Sequence, residues 1–166
     1  MRSHIGIDIA APAATVFALA RDVERWATLL PHYARSSAVE RRADGSLVVD
    51  FIARRPFVPI LGIAIPVTWR ARTWSETTTD GPTLRFVHVA GATRGMDVTW
   101  RLVPSADGGG CRVTIEHVFA PAVPGFARFV DRVFTTAIAG RTLATFRALA
   151  EAVTAIESGP APSTNP

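Results

Sequence analysis

Two histidines in this chain occupy positions from which an imidazole could hold a polar group or move a proton in apolar surroundings. In the run Arg112 to Phe119, residues Val113, Ile115, His117 and Phe119 fall on one side, against Arg112, Thr114 and Glu116. In Thr83 to Ala90 the corresponding row is Leu84, Phe86 and His88. Side chains alternate across a strand, so each histidine belongs to an apolar row that should face inward. A buried imidazole can act as general acid or base near neutral pH. It can equally do no more than hydrogen-bond a neighbour, and both readings stand. His4 and His32 lie far from these two in sequence, with no HxH or HExxH spacing, so no metal site and no cofactor are expected.

The elements that must carry these residues are read from periodicity and turn chemistry. His4 to Ile9 alternates, with Ile5, Ile7 and Ile9 on one side, and Pro12 closes it. Ala13 to Arg21 and Asp22 to Leu30 read as two short helices. Six further strands follow, roughly Ser36 to Arg42, Leu47 to Arg54, Val67 to Glu76, Thr83 to Ala90, Met96 to Val103 and Arg112 to Phe119. Their breaks carry turn residues such as Asp44-Gly45 and Asp80-Gly81-Pro82. In Met96 to Val103 the inward row is Met96, Val98, Trp100 and Leu102. A long helix is expected from Pro124 to Ile156, with Phe126, Val130, Val133, Phe134 and Ala137 on one face. Beyond Gly140 the apolar stripe moves to Leu143, Phe146, Leu149, Ala150 and Val153, so the helix either bends at Gly140 or packs its halves on different surfaces. The fold class is α+β: a curved seven-stranded antiparallel sheet wrapped around a long C-terminal helix, with two short helices after the first strand. One domain spans 4–157, followed by a disordered tail over 158–166.

Composition narrows the function. The chain has 166 residues, 48% hydrophobic and 19% charged, and a formal charge of +4 in which every basic residue is Arg. The arginines are scattered and form no stripe, which argues against a nucleic-acid partner. Cys111 is alone, so no intrachain disulfide or cysteine-rich zinc site can form. No apolar run reaches the length of a signal peptide or a membrane span, and a cytoplasmic protein is expected.

The segment Ile7-Asp8-Ile9-Ala10-Ala11-Pro12, then Val16-Phe17, Asp22, Trp26 and Pro31, with the strand Thr68-Trp69-Arg70-Ala71-Arg72-Thr73-Trp74 and the terminal helix, resembles the polyketide cyclase/dehydrase family of the START-like (SRPBCC, Bet v 1-like helix-grip) superfamily. The resemblance covers about His4 to Ile156. It implies an apolar cavity between sheet and helix that binds lipids, quinones, hormones or polyketides, and that sometimes folds a polyketide chain for cyclisation and dehydration. In aromatase/cyclase members of the family a Trp-x-Ser-x-Arg strand sends its Arg into the cavity. The counterpart here is Trp69-Arg70-Ala71-Arg72, one residue shorter and with Ala in place of Ser. Carried over, Arg72 becomes a third catalytic candidate beside His88 and His117, with Arg70 pointing the same way; a surface pairing of Arg72 with Glu76 is the alternative. The resemblance puts Trp26 and Tyr33 at the cavity mouth, with Trp26 also readable as core. Trp69, Phe86, Met96, Trp100 and Phe119 would line the cavity from the strands, and Phe126, Val130 and Phe134 from the helix.

Pro56 to Pro66 is almost wholly apolar yet broken by three prolines. It reads as a lip over the pocket that touches a membrane surface transiently, as core packed on the terminal helix, or as a dimer contact. Two functions remain open: a carrier or presenting module for a small hydrophobic molecule, acting as monomer or homodimer, and a cofactor-independent polyketide cyclase, aromatase or dehydratase.

Overall fold

Strands that alternate apolar with polar residues bury one face, and here one sheet collects all of those faces. The computed structural model describes residues 1–58, 63–121, 125–131 and 137–158. β1 (Arg2–Ile9) leads to α1 (Ala13–Arg21), a 3₁₀ turn (Val23–Arg25) and α2 (Trp26–Leu29). The meander follows as β2 (Tyr33–Arg41), β3 (Leu47–Val58), β4 (Ile63–Thr78), β5 (Gly81–Gly91), β6 (Asp97–Pro104) and β7 (Cys111–Val118). The strand order is β1-β7-β6-β5-β4-β3-β2, antiparallel throughout, so the first strand closes against the last. This is the expected helix-grip architecture.

The inward rows follow the alternation. Val49, Phe51 and Ala53 are buried on β3, Trp69, Ala71 and Thr73 on β4, and Leu84, Phe86 and His88 on β5. The β4–β5 ladder is irregular near Arg70, where the extra residue lies on β5. Arg70 pairs with Ala90 and Ala71 with His88, leaving Val89 without an opposite number. β4 therefore keeps its alternation, with Arg70 and Arg72 outward. At the end of β5, Gly91 has φ +92 and a Cβ there would meet the Thr68 carbonyl oxygen at 2.7 Å, so both conformation and space require glycine.

The terminal helix departs from the continuous Pro124 to Ile156 expectation. Its described parts are α3 (Phe126–Val130) and α4 (Gly140–Glu157), with wide π-type turns at residue 131 and at 137–139. Pro124 lies outside the described residues. Gly140 thus opens α4 directly after a wide turn, and a Cβ on it would sit 3.3 Å from Ile5 Cδ1 of β1. Leu143, Phe146 and Ala150 are buried against the sheet, as the second stripe predicts. Within the β3–β4 hairpin, pairing continues from Arg54↔Pro66 to Val58↔Ile63, beyond the last pair made by β2 (Tyr33↔Ala53) and the first made by β5 (Trp69↔Gly91). The apolar segment is therefore the end of a two-stranded ribbon; its residues 59–62 lie outside the described ones.

Candidate functional site

Where the concave face meets the start of α4, aromatic side chains from six elements converge. Trp26 of α2 is at their centre, with ring centroids of Tyr33, Phe51, Phe86, Trp100 and Phe146 all 5.4–5.8 Å away. Its indole Nε1 donates to the Ala20 carbonyl at 3.0 Å, which fixes the ring. Truncating such a buried aromatic costs about 3–5 kcal/mol, so Trp26 is core as well as wall.

Beside this cluster lies a cavity. Among the described residues, Trp26, Tyr33, Phe51, Trp69, Phe86 and Trp100 make its aromatic wall. Val98, Ile115, Ile138 and Ala139 complete the apolar surface, while His88, His117 and Thr142 bring polar atoms. No charged side chain is among these lining residues. The cavity volume is about 50 Å³. That is room for a few water molecules, well below the roughly 300–1,000 Å³ of typical ligand pockets. The rings fill most of the space that the sheet and helix enclose, so admitting a ligand requires them to move.

Both sequence-predicted histidines reach this cavity. His88 is buried, stacks on Trp69 with ring centroids 5.9 Å apart, and pairs through Nδ1 with Thr93 Oγ1 at 2.7 Å. The tight β5–β6 turn, closed by the bond from Gly95 N–H to the His88 carbonyl, brings Thr93 under the ring. Burial, and then the neighbouring His117, push His88 down to about 3. His117 on β7 is held down to about 4 by burial, against the upward pull of the Asp131 carboxylate. Both imidazoles are neutral at pH 7.

A second polar cluster sits on the α4 side. Thr142 Oγ1 donates to the Ile138 carbonyl at 2.9 Å and meets His32 Nε2 at 2.9 Å. With its one proton committed to Ile138, the Thr142 hydroxyl accepts from His32, which assigns the Nε2–H tautomer. Tyr33 also hydrogen-bonds Thr142; burial raises the phenol well above its usual range, and that hydrogen bond opposes the rise. Burial first, then Arg141, lower His32 to about 4, with a backbone hydrogen bond at Ile138 opposing them.

Arg72 does not enter the cavity. It lies on the outer face, 37% exposed, with Nη2 on Asp44 at 2.6 Å, Nε on Ser46 at 3.0 Å and its guanidinium over Trp74. Its partner comes from the β2–β3 turn rather than from Glu76. Arg70 is likewise outside, forked onto Asp50 at 2.6 and 2.9 Å. A guanidinium buried without an anion costs several kcal/mol, and these two avoid that cost by facing solvent and pairing. The inward guanidinium implied by the strand resemblance is corrected accordingly.

Of the predicted wall, Trp26, Tyr33, Trp69, Phe86 and Trp100 line the cavity. Met96, Phe119 and Val130 are buried but outside its wall, and Phe119 packs its ring 6.4 Å from the half-buried Phe126. Phe134 lies outside the described residues. Phe51, Ile138, Ala139 and Thr142 line the cavity without having been singled out. Phe51 was legible in the Val49, Phe51, Ala53 alternation; the three helical residues were hidden by the wide turns.

The family model described as polyketide cyclase / dehydrase and lipid transport matches residues 9–145. No curated protein matches the sequence. The structure is similar to that of the Zhui aromatase/cyclase from Streptomyces sp. R1128, with TM-score 0.71 and 16% identity over 96% of this chain and 99% of that one. It is also similar to a STAR-related lipid transfer protein fragment from Xanthomonas axonopodis, with TM-score 0.64 and 19% identity over 89% and 84% of the chains. A START superfamily protein from Mycobacterium smegmatis matches with TM-score 0.63 and 15% identity over 92% and 98%. At these identities the likeness is one of fold.

Proposed function

The chain belongs to the polyketide cyclase / dehydrase and lipid transport family, and on that premise we propose that it takes a small hydrophobic molecule of polyketide, lipid, quinone or isoprenoid type into the cavity and carries or presents it unchanged. The observation that carries this reading is the wall itself: aromatic rings and neutral polar groups, with no charged side chain among its described residues. Such a surface rewards burial of an apolar body and offers few groups that would stabilise developing charge. The two imidazoles are poor general acids at pH 7, since one titrates at about 3 and the other at about 4. With a cavity of about 50 Å³, uptake proceeds by displacement of the rings around Trp26.

A second reading, cyclisation or dehydration of a polyketide-like chain, draws on the family's description and on the likeness to an aromatase/cyclase. There His88 or His117 would act as base, and the chemistry would rest mainly on holding the chain in a reactive shape. Native mass spectrometry of protein purified from its own host, followed by extraction of the bound molecule, separates the two. An unmodified lipid, quinone or isoprenoid supports the carrier. A cyclised or dehydrated aromatic product supports the enzyme instead.

The protein's working place is proposed as the cytoplasm, with transient contact to a membrane surface through the 56–66 ribbon. The ribbon's apolar sequence, the exposed Arg54 at its root and the 43% exposure of Ile65 support that contact. Ile65→Asp is expected to abolish co-sedimentation with anionic liposomes while leaving the circular dichroism spectrum unchanged; undiminished binding sinks the idea.

A further inference from the structure

Next to the edge of the cavity that His117 forms, the adjacent strands β1 and β7 carry two buried polar atoms without partners among the described residues; Ser3, the second of them, stands behind His117 rather than in the lining. Ser3 is directly opposite His117 in the β1–β7 ladder. It heads the inward row Ser3, Ile5, Ile7, Ile9, whose Ile5 faces α4 at Gly140. Directly opposed residues on one face have Cβ atoms about 4.5–5.5 Å apart, so the Ser3 hydroxyl and the His117 ring are neighbours. Ser3 Oγ and His117 Nδ1 are both shielded from solvent, and neither finds a hydrogen-bond partner among the described residues. His117 itself is 4% exposed and lines the cavity.

Buried polar atoms in native proteins are almost always satisfied, and each orphan requires an explanation. One orphan could reflect local strain. Two on adjacent strands, paired where His117 borders the cavity, define a place where a third polar group belongs. The chemistry of that group follows from its partners. Ser3 can donate and accept, while a neutral imidazole offers at Nδ1 either a lone pair or a proton. The carboxylate of Asp131, on the turn after α3, is near enough to act on His117 and favours a group that brings a proton. A hydroxyl meets all of these demands; a carbonyl or ether oxygen brings only lone pairs.

We infer that Ser3 Oγ and His117 Nδ1 form an anchor for a hydroxyl group, alcohol or phenol, on the hydrophobic molecule that occupies the cavity. The hydroxyl accepts from Ser3 and donates to His117, and the apolar body lies along the aromatic wall toward Trp26. The anchor rests on the reading of the cavity as a ligand site, and the test keeps the two apart.

The full chain is titrated with phenol, anisole and benzene while amide chemical shifts are followed by NMR. All three are expected to shift cavity residues, with phenol binding roughly tenfold more tightly than benzene, the worth of one good net hydrogen bond, and anisole no better than benzene. Ser3→Ala, which leaves the bond to His117, should reduce phenol's preference over benzene severalfold without altering benzene binding, and Ser3→Thr, which keeps the hydroxyl, should preserve the preference. Equal affinities for phenol and benzene in the unmodified chain overturn the anchor and leave the cavity reading standing. So does a preference that Ser3→Ala leaves undiminished. If none of the probes shifts cavity residues, the ligand-site reading fails first and takes the anchor with it.

Discussion

The two polar clusters at the cavity are built from the same kinds of group, yet one is closed and the other open. On the α4 side, His32, Tyr33 and Ile138 all converge on the Thr142 hydroxyl. On the β7 side, Ser3 Oγ and His117 Nδ1 are buried and unpartnered among the described residues. A closed cluster has no capacity left for a ligand and contributes rigidity, because breaking one member strands the others. An open cluster contributes little to stability and keeps its hydrogen-bonding capacity in reserve. The contrast teaches how similar groups take different parts: the hydroxyl at the helix holds the scaffold, and the imidazole at the strand is the one that the inferred anchor would use.

The largest test of this contrast is pH. An unfolded imidazole takes its proton near the ordinary 6.5, whereas His32 and His117 resist protonation to about 4 and His88 to about 3. Between those values the unfolded chain binds the extra protons, so stability is complete above about 6.5 and is lost as pH falls toward 4. Each such group contributes a slope of about 1.4 kcal/mol per pH unit. Urea denaturation at pH 7, 6 and 5 should therefore show a steep drop. A flat profile means the three rings are not held neutral. His117→Phe should remove about one third of the slope, since it takes out one of three similar contributors.

Next in size is Thr142→Val, which keeps the shape and removes the hydroxyl. It leaves the buried His32 Nε2–H without its acceptor and removes the bond between Tyr33 and Thr142, at an expected cost of about 2 kcal/mol. Thermal and urea unfolding would measure it. A loss below about 0.5 kcal/mol would show that the cluster is not closed as described.

How far the site could be read from sequence depends on which periodicity carried it. Period-2 rows put His88 beside Leu84 and Phe86, and His117 beside Ile115, on the inner face, where the structure has them. The same rule applied to β3, but the apolar Val48 and Ile52 interleaved with Val49, Phe51 and Ala53 blurred the row, and Phe51 was passed over. Arg72 was misdirected for a different reason. The motif carried over from the resemblance pointed it inward, against the strand's own alternation of buried Trp69, Ala71 and Thr73 with outward Arg70 and Arg72. Only its partners Asp44 and Ser46, more than twenty-five residues away, lie beyond any local pattern. On the terminal helix the assumption of 100° per residue failed at the wide turns, which shift the phase so that Ile138, Ala139 and Thr142 face the cavity. Ser3 lies outside the strand expected from His4; β1 begins two residues earlier, at Arg2. The fold survives such errors, since it depends on many rows at once; a site of a few residues does not.

Ser3→Ala is the smallest perturbation and the sharpest one. If Ser3 were part of a satisfied network like that around Thr142, removing its hydroxyl would cost roughly 1 kcal/mol or more. As an unpartnered buried group it already carries a desolvation penalty without a compensating bond. Its removal should therefore leave stability within about 0.5 kcal/mol of the unmodified chain, or raise it slightly. The same substitution matters only when a hydroxyl-bearing molecule is present. Thermal melts with and without phenol then read both states of one variant. The unmodified chain should gain stability from phenol by mass action, and Ser3→Ala should gain less at the same concentration. A Ser3→Ala chain that is markedly destabilised when empty would mean that the serine is already bonded and the β7 cluster is as closed as its counterpart on the helix.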